Sequence, residues 1–311
     1  MFPIIPAGTA GASGNKGIIG YGYDDSSVYS SVTNLVSNAG VVASDTTGVG
    51  AARIQGGACE YGTDTGIFGF GKTASHSLIA TTSLVSNEGV VASDTAGVGT
   101  ARSLASACSF GGDKGIFGFG WTYPPSTFVA MTNLVSNGGV VATDTGAVAG
   151  ATARGYSYAT EFGGDKGIFI GGYAPPTVGM TNLVSNAGVV ASDTTAVGTV
   201  RYGAGACGYG TDTAIFAFGY DDSASPYSAI SNLISNLGVV ATDQVAVTGT
   251  GRSGAAATQY GGDKGIIGFG TEGAPGPISF TNLVSNTGVV ADDTTGVGSD
   301  RAFLMACSWG S

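Results

Sequence analysis

The chain has 311 residues, a net charge of −10 and only 10% charged residues, with 56 glycines and 43% hydrophobic residues. An acidic surface repels phosphate backbones and anionic headgroups, which argues against nucleic acid and against a charged membrane surface as partners. No apolar run approaches the roughly 18 residues that span a bilayer, so membrane insertion is not expected.

Residues 1–13 form an N-terminal arm. Met1-Phe2-Pro3-Ile4-Ile5-Pro6 has no basic segment ahead of it and carries two prolines, so no signal peptide is expected. The arm is expected either to lie on its own body or to dock on another subunit.

Residues 14–311 repeat. Thr33-Asn34-Leu35-Val36-Ser37-Asn38-Ala39-Gly40-Val41-Val42 recurs six times, with its leucine at Leu35, Leu84, Leu134, Leu183, Leu233 and Leu283. A period of about 50 residues sets the architecture before any local reading. One repeat runs as follows. Residues 53–61 are small and apolar, and Gly62-Thr63-Asp64-Thr65-Gly66 is a turn. Ile67-Phe68-Gly69-Phe70-Gly71 alternates with period two and reads as a second strand, with both aromatics expected on one face and both glycines on the other. After a variable loop, 82–86 is a third strand, Asn87-Glu88-Gly89 a hairpin turn, and 90–93 a fourth strand.

Four short antiparallel strands per repeat predict an all-β fold, a six-bladed β-propeller. The chain ends on a first strand, Ala306-Cys307-Ser308-Trp309-Gly310-Ser311, and the repeats begin on a second strand, Asn15-Lys16-Gly17-Ile18-Ile19-Gly20-Tyr21-Gly22. The C-terminal strand is therefore expected to pair into the N-terminal blade and close the ring. Residues 168–173 of the fourth blade swap large and small side chains, which predicts a local repacking.

Cys59, Cys108, Cys207 and Cys307 share one repeat position with Thr160 and Thr258. They read as small buried hydrophobes, too far apart for disulfides; a metal reading would need convergence on an axis, without any Cys-x-x-Cys spacing. Unpaired thiols fit synthesis in a reducing cytoplasm.

Six arginines, Arg53, Arg102, Arg154, Arg201, Arg252 and Arg301, stand one per repeat, and Asp45, Asp94, Asp144, Asp193, Asp243 and Asp293 recur with them. The plain reading is a structural Arg–Asp or Arg–carbonyl tie at each blade connection. The sharper one is a crown of arginines that receives a carboxylate or sulfate. Asp64, Asp113, Asp165, Asp212 and Asp263, with Asn15, fit turn chemistry.

The single histidine, His76, and four scattered glutamates support no catalytic set, so no enzyme, cofactor or metal is expected. The repeats disagree most in loops 72–80, 121–130, 174–179, 221–229 and 271–279. Loops on a rigid scaffold carry recognition. Trp121, Tyr123, Tyr173 and Tyr227 are the candidate ligand-facing aromatics there, beside the six arginines.

The order arginine, small strand, turn, Ile-aromatic-Gly-aromatic-Gly, loop, Thr-Asn-Leu-Val-Ser, turn, Val-Val resembles a kelch repeat over residues 14–311. The glycine-rich style is similar to kelch-like repeat proteins of aquatic bacteriophages. The resemblance implies a first strand lining a central channel and arginines that bind acidic peptides. It also implies a virion component made in the host cytoplasm, a non-enzymatic structural or adhesion module. Its partners would be other virion subunits, reached through 1–13 or the loops, or a host-surface glycan or protein. An intracellular kelch-like interaction scaffold and a carbohydrate-binding propeller lectin are the alternatives.

Overall fold

The structure, a computed structural model, describes residues 15–310 apart from 196, 224–225, 245–248 and 275. The arm expected at 1–13 lies outside the described residues. Among those described, every regular element is a strand, and no helix is long and apolar enough to cross a membrane.

The strands are β1 (Lys16–Gly20), β2 (Thr33–Val36), β3 (Arg53–Ile54), β4 (Gly57–Tyr61), β5 (Thr65–Thr73), β6 (Leu78–Val85), β7 (Ser106–Phe110) and β8 (Lys114–Gly118). A short hairpin, β9 (Trp121–Thr122) and β10 (Thr127–Phe128), precedes β11 (Thr132–Val135). Next come β12 (Tyr158–Phe162), β13 (Lys166–Ile170), β14 (Thr181–Val184), β15 (Gly205–Tyr209), β16 (Thr213–Ala217) and β17 (Ser231–Ile234). The last are β18 (Ala256–Tyr260), β19 (Lys264–Gly268), β20 (Thr281–Val284) and β21 (Met305–Trp309).

Each repeat forms a small antiparallel sheet whose middle strand is the glycine-aromatic segment, as in β7-β8-β11 and β12-β13-β14. The expected pairing of the chain ends is present: β21 joins β1 in register, Gly17 opposite Ser308 and Gly20 opposite Met305, with β2 on the other side.

The expected fourth strand is a correction. Five of the repeat sheets have three strands, and in the other the extra strand is β3, pairing the end of β5. The Val-Val segment makes only isolated bridges, such as Val36 with Val42 and Thr33 with Thr46. The cause is a bulge. Ala43 N–H donates to Leu35 O and Thr46 N–H to Thr33 O, so three steps of the outer segment face two of β2. The Asn34 amide fills the gap, donating to Ala43 O at 3.0 Å and to Asp45 at 2.8 Å.

A second correction concerns Phe68 and Phe70, which lie on opposite faces. Phe68 packs on Tyr21 of the preceding sheet and Phe70 on Phe117 of the following one, both with centroids 5.1 Å apart. Phe70 has φ +61°, and the register shifts between Gly69 and Gly71, which breaks the period of two. The nesting of aromatics on glycines does occur between sheets. A Cβ on Gly69 would lie 2.7 Å from Phe117, and one on Gly118 2.6 Å from Phe169.

The cysteines also sit between sheets, free and buried. Cys59 faces Gly115, Cys108 faces Gly167, Cys207 faces Gly265 and Cys307 faces Gly66. A side chain at those glycines has no room, so the thiol acts as a small space-filling hydrophobe.

Residues 168–173 do repack. Gly171 (φ +53°) stands where other repeats hold the positive-φ aromatic, and Tyr158 of β12 takes the vacated space, its hydroxyl 2.7 Å from a notional Gly171 Cβ. Its ring meets Phe216 at 5.0 Å.

The first strands touch in the order β4, β7, β12, β15, β18, β21 and back to β4. Backbone hydrogen bonds follow the same cycle. Leu104 N–H donates to Gln55 O, Tyr156 to Leu104, Gly203 to Tyr156, Gly254 to Gly203, Phe303 to Gly254, and Gln55 to Phe303. All six donors have φ between +54° and +65°. That left-handed turn is what aims each peptide at its neighbour instead of along its own strand.

Candidate functional site

The arginines are placed by this same geometry. Each precedes its left-handed residue by two positions and is buried, with 0–1% exposure. Arg102 is representative. Its Nε donates to Phe119 O at 2.8 Å, Nη1 to Thr100 O at 3.2 Å and Nη2 to Asn133 Oδ1 at 2.7 Å. Its guanidinium lies 4.0 Å from the Phe70 ring centroid of the preceding sheet, and Asp144 is 3.7 Å away. Burial pulls its pKa down to about 10, with Asp144 holding it up, so it stays charged at neutral pH.

Arg154, Arg201, Arg252 and Arg301 likewise reach Asn182, Asn232, Asn282 and Asn34. Arg53 differs instructively. Ser83 replaces the asparagine, and Tyr21 replaces the phenylalanine. Arg53 Nη2 then donates to both hydroxyls, at 2.7 Å and 3.2 Å. The set Arg53, Arg102, Arg154, Arg201, Arg252 and Arg301 is thus corrected from a ligand-facing crown to a series of ties between sheets. A fully buried guanidinium stacked on a ring has no face left for a ligand. The Asp residues in the inner turns are also tied locally, Asp113 by Asn137 and Asp165 by Asn186, both at 3.2 Å.

Of the four loop aromatics, Trp121 stacks on Tyr123 at 5.9 Å, and Tyr123 is 66% exposed. Tyr173 and Tyr227 belong to a larger cluster. Tyr227 meets Tyr220 edge-on at 5.2 Å, and Tyr220 meets Tyr202. Tyr202 meets Tyr173 and Tyr156, and Tyr156 meets Phe303, which stacks on Tyr23. These rings are all half-buried, so each keeps some exposed surface. Burial first, then Tyr220, Tyr156 and Asp222, push the Tyr202 phenol up to about 12, so this phenol keeps its proton at neutral pH.

Tyr156, Tyr202 and Phe303 were not singled out by the sequence reading. Their signal was present: Tyr202 stands one residue after its arginine, where other repeats carry Ile, Ser, Gly or Ala, and Tyr156 and Phe303 two residues after theirs, where others carry Gln, Leu or Gly. Tyr156 also closes over the cycle of first strands. Its hydroxyl accepts from Gln55 Nε2 at 3.0 Å and its ring lies 5.7 Å from Phe303.

The first strands line an open pocket of about 60 Å³. Its polar lining comes from Thr160 and Thr258, which stand where the other repeats have cysteine, and from the next residue of each repeat, Glu60, Ser109, Glu161, Gln259 or Ser308, with Gly208 in the sixth. Glu60 is 7% exposed; its Oε2 accepts from Ser308 Oγ at 2.9 Å, while the buried Oε1 has no partner. Burial pushes its carboxyl up to about 8; the Ser308 bond opposes this and Glu161 adds to it. Among the described residues no three His, Cys, Asp or Glu side chains gather as a metal cluster.

No protein-family model matches the chain, and no curated protein sequence matches it.

Proposed function

We propose that the chain is a six-bladed, kelch-like β-propeller that works as a non-enzymatic binding module of a bacteriophage particle. It recognises a host-surface ligand or another virion subunit through one aromatic face. The cyclic order of the first strands and the pairing of β21 with β1 support the propeller. The resemblance of the repeat to phage kelch-like proteins supports the particle.

The observation that carries the binding role is the run of half-buried rings Tyr23, Phe303, Tyr156, Tyr202, Tyr173, Tyr220 and Tyr227 on loops beside the cycle of hydrogen bonds. Rigid rings with an apolar body and a polar tip bind at low entropic cost. A surface of tyrosine rings suits the faces and hydroxyls of a sugar, so a host glycan is the favoured ligand.

Purified particles should contain the chain by mass spectrometry, and a glycan array should give a specific ligand. Tyr202→Ala and Tyr173→Ala should each weaken that ligand at least about tenfold, the usual cost of a central aromatic, with unchanged melting temperature for Tyr173→Ala. Particles lacking the chain would overturn the virion assignment. Unchanged glycan binding by both variants would overturn the aromatic face.

A further inference from the structure

The edge of the third repeat carries an apolar groove of about 510 Å³. Its lining includes Phe110 of β7, Leu134 and Val135 of β11, Val140 and Ala142 of the outer segment, and Ala187 on the hairpin of the next repeat. A concave apolar site of this size is what bound groups occupy. Phe110 and Val135 are buried and form its floor, while Val140 at the rim is 68% exposed. The other repeats fill the corresponding place differently. Glu88 stands for Ala187 beside the first repeat, Leu237 beside the fourth and Thr287 beside the fifth, and a tyrosine stands for Phe110 in the second and sixth. The third repeat thus joins a floor without a hydroxyl to a small, uncharged rim.

The chain ahead of Asn15 starts from the same end of the fold. Asn15 O accepts from Gly261 N–H, and the inner turns are linked in the same way from repeat to repeat, Gly111 N–H to Asp165 O among them. A Cβ on Gly111 would lie 2.9 Å from Asn186 O, next to Ala187. Asn15 and the groove therefore share the end of the first strands at which β7 finishes on Phe110. The aromatic face lies at the other end, beside Leu104 and Tyr156, so nothing here depends on the ligand read from it.

Sequence and reach both match the groove. Residues 1–6 bring Met1, Phe2, Ile4 and Ile5 with two prolines, and residues 1–14 carry no charged side chain in a chain of net charge −10. Proline lowers the entropy lost when a segment is fixed in place. Residues 7–14 are a spacer of Gly, Ala, Ser and Thr. Extended, that spacer covers at most about 29 Å. Sheets pack about 10 Å apart, so a groove two sheets on from Asn15 lies roughly 20 Å away. A tether of that length keeps the segment at a high effective concentration, so a modest apolar contact is enough to hold it.

We propose that the groove on the third repeat is the seat of the chain's own N-terminal segment, which places Phe2, Ile4 and Ile5 against Phe110, Leu134 and Val140. The test is photo-crosslinking in the full chain, with benzoylphenylalanine in place of Phe2. Mass spectrometry should find that side chain joined to residues 134–142 or to the hairpin at Ala187, within a product that runs as a monomer on a denaturing gel. Ala187→Glu, an exposed hairpin change that puts a charge on the rim, should lose most of this cross-link. Thr287→Glu, the same change beside the fifth repeat, should keep it. Cross-links to another repeat, covalent dimers, no cross-link at all, or an undiminished yield in Ala187→Glu would each overturn the assignment; dimers would give the groove to a neighbouring copy instead.

Discussion

Arg102→Met is expected to destabilise the chain by about 3–5 kcal/mol and to lower its melting temperature by roughly 10 °C. The methionine would fill the space over the Phe70 ring. It would leave Asn133 Oδ1 and Phe119 O without their donor, in a place water does not reach, and would remove the donor to Thr100 O nearer the surface. Removing one partner from a buried charged network costs its other members their solvation as well. Arg102→Lys should recover little, since an ammonium cannot reach three separated acceptors as the planar fork does. Lys114→Met is the control. Its pair with Asp113 is partly exposed to solvent, and such surface pairs contribute under about 1 kcal/mol. Thermal denaturation followed by circular dichroism checks all three; an Arg102→Met melt within 2 °C of the wild type would sink the role given to the arginines.

Acid should unfold the chain steeply, through the same ties. Asp45, Asp144, Asp193, Asp243 and Asp293 each take bonds from the segment entering the sheet and from the neighbouring asparagine. At each one burial alone would raise the carboxyl, but those bonds outweigh it and hold the pKa below its ordinary 3.8. The folded chain therefore binds these protons later than the unfolded chain. Their contribution is complete above the ordinary carboxylate range and is lost as pH falls through the folded values. In that window each such group adds up to about 1.4 kcal/mol of lost stability per pH unit. Urea midpoints measured from pH 6 down to pH 2 should rise gently at first, as buried Glu60 keeps its proton while the unfolded chain must take one up, and then fall sharply below pH 4. Thr100→Val, which removes one hydroxyl bond to Asp144, should soften the fall. A profile that is flat to pH 2 would contradict the carboxylate ties.

Much of the fold was legible because the repeat is regular. The turn residues, the period-two middle strand and the incomplete first and last repeats located the hairpins and the pairing of β21 with β1. Two features were not legible, for a common reason. The bulge in the outer segment and the left-handed φ of Phe70 are backbone departures that residue patterns do not announce. The departure at Phe70 sends that ring to the next sheet, where Arg102 covers it, so the ligand-facing crown could not be ruled out from spacing alone. The paired replacements were visible only in retrospect. Tyr21 with Ser83 and Tyr158 with Gly171 lie 62 and 13 positions apart, and each looks like drift until contact shows one residue filling what the other lacks. The lining of the pocket was readable all along, one residue after each Cys or Thr. Four glutamates scattered along a chain look unrelated until the strands bring two of them to one pocket.

Cyclic closure is the claim on which the rest depends, because it aligns the aromatic face, the ties and the pocket. Hydrogen exchange of the C-terminal peptide covering Met305–Trp309 tests it most directly. In the closed arrangement those amides pair with Lys16–Gly20, so they should exchange as slowly as Gly57–Tyr61, the same strand in the first full repeat. Exchange of the C-terminal peptide at the rate of unstructured chain, with Gly57–Tyr61 still protected, would mean that the cycle is open.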